Sequence, residues 1–310
     1  MQSLPFYARV AAVARRQHGL LTRSQLAHLG LSQKQVRAWT ANGRLERMFP
    51  GVVRVAGVPK TREQLLLAAV LWGGAHALVS HRSAGELWSF DGVKGNKPEI
   101  TMPAGELKQS VDIVVHSTRV PMTDRRTRHG IPITTPERTI IDLAGALTAE
   151  QLEVAFESAR RTRQVTTASV ERLLARIGAK GRRGSEAMQQ LLTALAHEPA
   201  AESALEVLAA RMLRASDLPK PRRQASVSAF GRDYRLDFAW PEARVALECD
   251  GRKWHEIEAD FERDRRRWSA ITAATGYRIV WATWRRINAS PDQIVGELRR
   301  LLRDDHRRAS

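Results

Sequence analysis

Three acidic side chains interrupt two short apolar segments near the C-terminal end of the sequence. Asp237 lies in RLDFAW, and Glu248 and Asp250 lie in ARVALECD, on the two sides of a Pro-Glu pair. An ionised carboxylate is costly to bury unless a partner compensates its charge. Carboxylates are also the preferred ligands of hard cations such as Mg²⁺, which keep several waters and accept substrate phosphates. These acids are therefore either structural, in ion pairs with the many arginines, or ligands of a cation.

Strand alternation predicts that two of these acids meet. Residues two apart share one face of a strand, so Glu248 and Asp250 share a face, and Asp237 lies opposite its apolar neighbours. If the two segments pair as a hairpin, Asp237 and Glu248 are close enough to share one cation. A Mg²⁺ or Mn²⁺ ion held there would polarise a phosphodiester and help to generate an attacking hydroxide. The pattern thus indicates metal-dependent hydrolysis of nucleic acid.

Basic side chains follow these acids along the chain. Arg263 and Arg266, in EADFERDRRRW, either grip phosphates or form a solvated helix face. Upstream of the acids, Ser203 and Glu206 in SALE have the spacing of a helix-capping box. The residues themselves therefore indicate Asp237 and Glu248 as the candidate metal ligands.

A run of seven elements from Ser203 must position these side chains. The pattern predicts a helix, three strands, a long helix, a strand and a final helix, with the strands near 222–230, 233–240, 243–250 and 277–284. A basic, glycine-rich segment at 178–185 precedes this region and is typical of a linker. We therefore predict four parts, which are residues 1–58, 59–177, the linker 178–185, and 186–310.

The first 58 residues predict a winged helix-turn-helix. Two capping boxes, TRSQ at 22–25 and SQKQ at 32–35, begin two helices separated by a glycine. Residues 45–55 predict a β-hairpin, which would be the wing. Polar and basic side chains of the third helix would contact bases and phosphates, and the candidates are Gln33, Lys34, Arg37 and Arg44. Winged helices also serve as protein-binding modules, and this alternative stays open.

The middle part, residues 59–177, predicts a mixed α/β domain. EITMP and DIVVHST have the pattern of strands, and TPERTIIDLAGAL that of a helix with Thr135 as its N-cap and Pro136 at its first position. We interpret His81 and Arg82 in SHRSAGELW as structural, because no partner at a diagnostic spacing accompanies them. The fold class predicted for the chain is therefore α/β multidomain.

The net charge of the chain indicates which class of macromolecule the protein binds. Fifty Lys and Arg residues against 33 Asp and Glu residues give a net charge of +17, which favours a polyanion, with nucleic acid as the usual one. An arginine-rich composition alone is the alternative cause. The single cysteine, Cys249, excludes an internal disulfide and a multi-cysteine zinc site. No apolar run approaches 18 residues and no secretory leader is evident, which predicts a cytoplasmic protein without membrane spans.

The segment from Ser203 onward resembles the PD-(D/E)XK nuclease superfamily, in the branch of the very-short-patch repair endonucleases. SALE, Asp237 and ECDGRKWH follow one another in the order and spacing of that branch. The resemblance implies a restriction-endonuclease-like α-β-β-β-α-β core in which Asp237 and Glu248 bind Mg²⁺ and His255 acts as a general base or orients a water during the hydrolysis of DNA. It also places Glu206 in the site, although a helix cap alone would explain that residue. The candidate catalytic residues are therefore Asp237, Glu248, Asp250, His255 and Glu206. Asp250 fits this branch but stands where the common pattern of the superfamily has a lysine.

Residues 19–55 resemble the winged-helix domain of AbiEi-type antitoxins, and residues 62–177 resemble the domain that follows it in such proteins. This resemblance implies DNA binding, autoregulation of a toxin operon and a toxin partner. The sequence therefore predicts a DNA-binding protein with a metal-dependent endonuclease domain. The alternative is a non-enzymatic, antitoxin-like transcriptional regulator with a degenerate nuclease domain, and an RNA-directed nuclease is a third reading. The pattern does not define target sequence or oligomeric state.

Overall fold

The structure is a computed structural model that describes residues 6–105, 108–178, 183–196, 198–250 and 258–306, without the side chains of 258–265 and 304–306. The chain divides into two units, of which the first comprises Met1–Ala155 and Gln164–Gln190 and the second Phe156–Arg163 and Leu191–Ser310. The predicted boundaries at residues 58, 177 and 185 stay a prediction. Residues 179–182 of the predicted linker lie outside the described residues.

The first unit begins with a winged helix. Its elements are α1 (Phe6–Arg16), β1 (Leu20–Thr22), α2 (Arg23–His28), α3 (Gln33–Ala41), β2 (Leu45–Phe49) and β3 (Val52–Val55). The three strands form an antiparallel sheet in the order β1-β3-β2. The predicted hairpin is confirmed as β2 and β3. The sequence did not indicate β1, since a strand of three residues depends on its distant partner β3 rather than on its own pattern.

Both predicted capping boxes are present. The Thr22 hydroxyl accepts the Gln25 N–H and the Gln25 side chain accepts the Thr22 N–H, and Ser32 and Gln35 repeat the arrangement at α3. Such reciprocal bonds satisfy two otherwise unpaired N–H groups at a helix start. The helices close over a small apolar core formed by Val10, Ala14, Leu21, Leu26, Leu31, Leu45 and Val53.

A five-stranded mixed sheet follows the winged helix. The elements are α4 (Arg62–Gly73), β4 (Leu78–Val79), α5 (His81–Leu87), β5 (Glu99–Met102), β6 (Val114–Ser117), the short 3₁₀ helix η1 (Met122–Asp124), β7 (Arg125–Arg128), β8 (Ile131–Thr134) and α6 (Pro136–Leu143). The strand order is β6-β5-β4-β8-β7. The predicted strands at EITMP and DIVVHST are confirmed as β5 and β6. Thr135 caps α6 and Pro136 begins it, as predicted.

A buried ion network joins the short helical segments around α6. The Arg138 guanidinium donates to both carboxylate oxygens of Asp142, at 2.9 and 3.0 Å, and lies 3.7 Å from the Asp124 carboxylate. Arg176 also donates to Asp124. Arg138 and Asp124 are each only 1% exposed. The further helices in this part of the chain are α7 (Ala149–Arg161), α8 (Thr167–Ile177) and α9 (Ser185–Leu195).

The second unit contains a four-stranded sheet. Its elements after α9 are α10 (Ala204–Arg214), β9 (Arg222–Ala229), β10 (Arg232–Trp240), β11 (Val245–Asp250), α11 (Glu258–Thr275), β12 (Arg278–Thr283), α12 (Trp284–Ala289) and α13 (Pro291–His306). The order is β12-β11-β10-β9, with β11 and β12 parallel and the other pairs antiparallel. A parallel pair needs a crossover connection, which α11 supplies. From α10 to β12 the order of elements is the predicted α-β-β-β-α-β.

Candidate functional site

The third helix presents the side chains that the sequence predicts as DNA contacts. Val36 and Trp39 of α3 pack against the core of the winged helix, which orients the opposite face outward. No residue of α3 is fully buried. All four predicted contacts are exposed, and they are Gln33, Lys34, Arg37 and Arg44.

Two polar side chains of α3 form hydrogen bonds within the helix. The Gln35 side chain accepts the Ser32 N–H at 2.8 Å, and the Thr40 hydroxyl donates to the Val36 carbonyl at 2.9 Å. These two groups therefore serve the helix itself. The Arg44 guanidinium lies 5.9 Å from the centre of the Trp39 ring, which holds its charge beside the end of α3.

Three arginines line a concave surface between α3 and the hairpin. Arg37 comes from α3, Arg23 is the first residue of α2, and Arg47 lies in the middle of β2. The concavity has a volume of about 320 Å³ and is also lined by Val36, Thr40, Ala41, Phe49, Gly51 and Val53. Arg23 and Arg47 are exposed. We refer to Arg23, Arg37 and Arg47 as the arginine cleft.

The sequence analysis missed two members of the arginine cleft. Arg47 lies two residues from each of Leu45 and Phe49, both buried, so strict alternation would turn it inward. The register of β2 against β3 shifts between Arg47 and Phe49, which interrupts that alternation. Arg54 of β3, by contrast, is 5% exposed and paired with Glu46 at 2.6 Å, so it is structural.

In the second unit, the hairpin of β10 and β11 brings two of the predicted acids together. Phe238 pairs with Leu247 in the register, so Asp237 and Glu248 are the next residues along the two strands. The Asp237 N–H donates to Glu248 Oε1 at 2.9 Å, and the Cys249 N–H donates to Asp237 Oδ2 at 2.8 Å. Each carboxylate thus accepts one backbone N–H at the point where the regular ladder ends.

Glu206 lies beside this pair, but its carboxylate does not form the predicted capping box. Ser203 caps α10 by accepting the Glu206 N–H at 3.1 Å. The Glu206 carboxylate accepts the Glu202 N–H at 2.9 Å and a Gln224 amide N–H at 2.8 Å, rather than completing a capping box with Ser203. Gln224 has a left-handed backbone (φ 52°) in β9, and such a residue inside a strand marks a local irregularity that costs free energy.

Burial raises the pKa of all three carboxyl groups, because desolvation penalises the charged form. Glu248 is 4% exposed, and burial together with the nearby negative charge of Asp237 raises its pKa to about 8. The positive charge of Arg267, on α11, lowers the pKa of Asp237 and of Glu248 but does not cancel the effect of burial. A cluster of this kind is neutralised by protons or compensated by a cation.

Asp237 and Glu248 are the two residues that could hold a Mg²⁺ or Mn²⁺ ion here. Their backbone bonds engage one oxygen of each carboxylate, and Mg²⁺ is commonly held by one or two carboxylates together with waters and substrate phosphates. Glu206 does not complete a three-ligand site in this geometry, since the ligand atoms of the three acids are not all within 4.8 Å of one another. A metal here would polarise a phosphodiester, and the two acids would hold it.

The structure describes some of the other residues predicted for this site but not all of them. Asp250 ends β11, where it is partly buried and in register with Thr283 of β12. His255 lies outside the described residues, and Arg263 lies in the part of α11 whose side chains are not described. Arg266 is exposed on α11, whereas the charge of its neighbour Arg267 lowers the pKa of both Asp237 and Glu248.

Comparison with known proteins assigns two parts of the chain. The family described as "Transcriptional regulator, AbiEi antitoxin" matches residues 8–56, and the family described as "AbiEi antitoxin C-terminal domain" matches residues 92–194. Both regions are therefore similar to AbiEi antitoxin domains. The predicted resemblance of the N-terminal part is therefore confirmed. Neither match includes the segment from Ser203 onward, so its resemblance to PD-(D/E)XK nucleases stays a prediction.

Full-length relatives are also found. Two sequences from strains of Mycobacterium tuberculosis, "Uncharacterized protein MT2308" and "Uncharacterized protein Rv2248", are each 28% identical over 273 residues, which is 88% of this chain and 97% of theirs. The crystal structure of the RV2827C protein from the same organism matches with 17% identity and a TM-score of 0.44, over 74% of this chain and 90% of that one. Within the described residues, every helix is too short or too polar to cross a lipid bilayer.

Proposed function

We propose that the protein is a DNA-binding transcriptional regulator of the AbiEi antitoxin type. The observation that carries the proposal is the arginine cleft beside the exposed face of α3, in the region matched by a transcriptional-regulator family. Guanidinium groups bind phosphates and the edges of guanine with two parallel hydrogen bonds. The net charge of +17 supports the same class of partner.

In this proposal α3 enters the major groove and the hairpin contacts the adjacent backbone. Gln33 and Lys34, in the first turn of α3, reach base edges and phosphates near the helix N-terminus. Arg37 continues that face, and Arg23 and Arg47 flank it as phosphate contacts. The capping box of Ser32 holds the first turn of α3 in place, so the contacts are carried by a pre-formed helix.

The first test is fluorescence anisotropy on the duplex upstream of the protein's own gene, measured over a range of salt concentrations. Each lost phosphate contact lowers the slope of log affinity against log salt by about 0.9. We therefore expect Arg23→Ala and Arg47→Ala to weaken binding and to lower that slope by about one unit each. Arg37→Ala should also reduce the preference for this duplex over random DNA.

Arg172→Ala is the matched control, because Arg172 is an exposed arginine of α8 and its loss changes the net charge equally. It should leave affinity and slope near those of the wild type. Equal effects of Arg172→Ala and the cleft variants would show that only total charge matters. Wild-type affinity without preference for the upstream duplex would contradict the regulator proposal.

A toxin partner is part of the proposal, because both matched families are described as antitoxins. A gene next to that of this protein should then arrest growth when expressed alone. Co-expression of this protein should restore growth, and Arg23→Ala should restore it equally if neutralisation is separate from DNA binding. Growth arrest that this protein fails to relieve would contradict the antitoxin role.

The pair Asp237 and Glu248 supports a second candidate function, Mg²⁺- or Mn²⁺-dependent endonuclease activity. Asp237, which is partly buried, and Glu248, which is buried, lie on neighbouring strands and both have raised pKa values. Mg²⁺ is commonly held by one or two carboxylates together with waters and substrate phosphates. The test is cleavage of supercoiled plasmid by wild type, Asp237→Ala and Glu248→Ala in Mg²⁺ or Mn²⁺. Cleavage by wild type alone would support the nuclease. Intact plasmid in all three samples, with DNA binding retained, would leave the regulator without an enzyme domain.

A further inference from the structure

The five-stranded sheet of the first unit brings together three metal-ligand side chains that the sequence separates. His81 is the first residue of α5, Glu99 the first of β5, and His116 lies in β6. In the parallel pairing of β5 and β6, His116 is in register with Thr101, two residues from Glu99 and so on the same face. The Ser80 N–H donates to the Glu99 carbonyl at 3.0 Å, which places His81 at the same edge.

The three side chains are spaced as ligands of one ion. One ligand atom from each of His81, Glu99 and His116 lies within 4.8 Å of the other two, and no other such group of three occurs among the described residues. His116 Nε2 and Glu99 Oε2 are 3.1 Å apart. Two ligands that are each about 2.1 Å from one ion, at an angle between 90° and 110°, are about 3.0–3.4 Å apart.

The surrounding bonds orient these ligands. His81 Nδ1 lies 3.0 Å from Ser80 Oγ, and the buried Thr101 hydroxyl donates to the same Ser80 oxygen at 2.8 Å. When Nδ1 of His81 donates to Ser80, Nε2 presents its lone pair. In metal-bound histidines, the ring nitrogen that does not bind the metal usually donates a hydrogen bond to a neighbouring group. Glu99 is only 5% exposed, and its N–H donates to Ser83 Oγ at 2.9 Å.

The backbone supplies an independent observation. His81 has φ 49°, in the left-handed region, although it is not a glycine and begins a helix. Such a conformation is unfavourable for a residue with a side chain and persists where the surroundings enforce it, commonly at functional sites. The imidazole of His81 stacks on that of His116, with the ring centroids 3.4 Å apart.

Two features of the structure disfavour a bound cation, and the first requires an imidazole ring to rotate before the ion can bind. The stacked rings are 10° from parallel, so one imidazole must rotate before both lone pairs can converge on an ion. Arg82 lies 3.5 Å from Glu99 Oε1, and its second terminal nitrogen donates to the Ala146 carbonyl. Arg82 faces the oxygen of Glu99 that does not face His116, which leaves Oε2 for the metal.

We propose that His81, Glu99 and His116 bind one Zn²⁺ ion. Two imidazoles and one carboxylate are a known ligand set for zinc, with a fourth position for water or an external ligand. The ion would tie α5, β5 and β6 together at one edge of the sheet. The site is separate from the arginine cleft and from Asp237 and Glu248, so it does not depend on the function proposed above.

Zinc titration of the full-length protein, after removal of metal with EDTA, tests the proposal. Isothermal titration calorimetry should show one Zn²⁺ per chain, and His116→Gln and Glu99→Gln should each lose at least about 100-fold in affinity, since loss of a residue that only orients a ligand already costs about 10–100-fold. Ser80→Ala should lose about 10–100-fold. His76→Gln is the matched control, because His76 is an exposed histidine of the same unit and its loss should change nothing.

X-ray absorption of the wild-type zinc complex gives a readout that needs no variant. Two imidazole ligands are expected, and a spectrum with fewer than two would overturn the proposal even if a variant failed to fold. Absence of zinc binding by the wild type would also overturn it, as would unchanged binding by both His116→Gln and Glu99→Gln. Asp237→Ala should keep the site, and loss of zinc in that variant would place the ion at the acids instead.

Discussion

At the scale of single residues, the surroundings of Glu248 strongly alter its acidity. This side chain is 4% exposed, accepts one backbone N–H and lies beside a second carboxylate. Burial raises its pKa from an ordinary 4.5 to about 8. The folded protein therefore retains a proton on Glu248 over a pH range in which the unfolded chain has lost it, and this difference links proton binding to stability.

The stability of the second unit should fall as pH rises from about 4.5 to about 8, in EDTA and without divalent ions. A carboxyl whose pKa is higher in the folded than in the unfolded state stabilises fully below the unfolded pKa, and this contribution is lost as pH approaches the folded pKa. Glu248→Gln mimics the protonated form, so it should flatten this part of the profile. Urea unfolding at several pH values measures the effect.

Glu242→Gln is the control for that profile, because Glu242 is an acid of the same unit with a side chain that is 77% exposed. It should leave the slope of stability against pH unchanged. A wild-type profile that is flat or rises between pH 5 and pH 8 would contradict the raised pKa of Glu248. Addition of Mg²⁺ at pH 8 should stabilise the wild type if the acids bind it, since a cation compensates the ionised carboxylates.

The sequence indicated the site residues that lie on consecutive strands, but it did not indicate those that meet only through the order of strands in the sheet. Asp237 and Glu248 meet because simple alternation holds in β10 and β11, and alternation can be read from twelve residues. His81, Glu99 and His116 meet only because β4, β5 and β6 are neighbours in the sheet. His81 was interpreted as structural, since no spacing along the chain indicates that sheet order.

At the scale of elements, helix starts were the most predictable feature. Thr22, Ser32, Thr135 and Ser203 all cap the helices that the sequence assigns to them, because a cap involves residues within three positions. The short strands β1, β4, β7 and β8 were not predicted. Their two to four residues lack a pattern of their own and are strands only through distant partners.

Removal of the cap of α3 should destabilise the winged helix by about 1 kcal/mol. Ser32→Ala deletes the oxygen that accepts the Gln35 N–H, while Ser32→Asp keeps an acceptor at that place. Urea unfolding should show the loss for alanine and little change for aspartate. Affinity for the upstream duplex should fall with Ser32→Ala, because α3 then frays where it carries Gln33 and Lys34. Equal stability of both variants would contradict this role for the cap.

Removal of Arg138 should destabilise the first unit by about 3–5 kcal/mol, the usual cost of breaking a buried ion pair. Arg138→Met fills similar volume but leaves Asp142 and Asp124 buried near one another without that guanidinium. Denaturant unfolding measures the change. Arg172→Ala, at an exposed position, should stay within about 0.5 kcal/mol of the wild type. A change of less than 1 kcal/mol in Arg138→Met would show that the network contributes little.

At the scale of the whole molecule, the net charge of +17 dominates encounters with other macromolecules. A field of this sign accelerates association with polyanions and supplies affinity that is independent of sequence. The arginine cleft concentrates part of that charge at one surface of the winged helix. Composition alone predicted the class of partner, but it could not locate this surface, because Arg23, Arg37 and Arg47 come from three different elements.

Affinity for a random duplex should fall steeply with salt. A protein that makes six or more phosphate contacts loses about 10³-fold or more in affinity between 50 and 200 mM salt. Binding to the upstream duplex should fall less, since base contacts release no counterions. Anisotropy titrations of both duplexes measure the two slopes, and parallel slopes without a difference in affinity would contradict sequence-specific binding.

The reactivity of the lone cysteine can measure how often the second unit opens. Cys249 is the only thiol in the chain, its N–H donates to Asp237, and burial raises its pKa, so its thiolate is scarce in the folded state. Because alkylating reagents react with the thiolate, the rate of labelling follows the opening of the sheet around Asp237 and Glu248. A single mass-spectrometric time course can therefore report how often this strand edge opens, and whether DNA or a divalent ion slows that opening, without any engineered label.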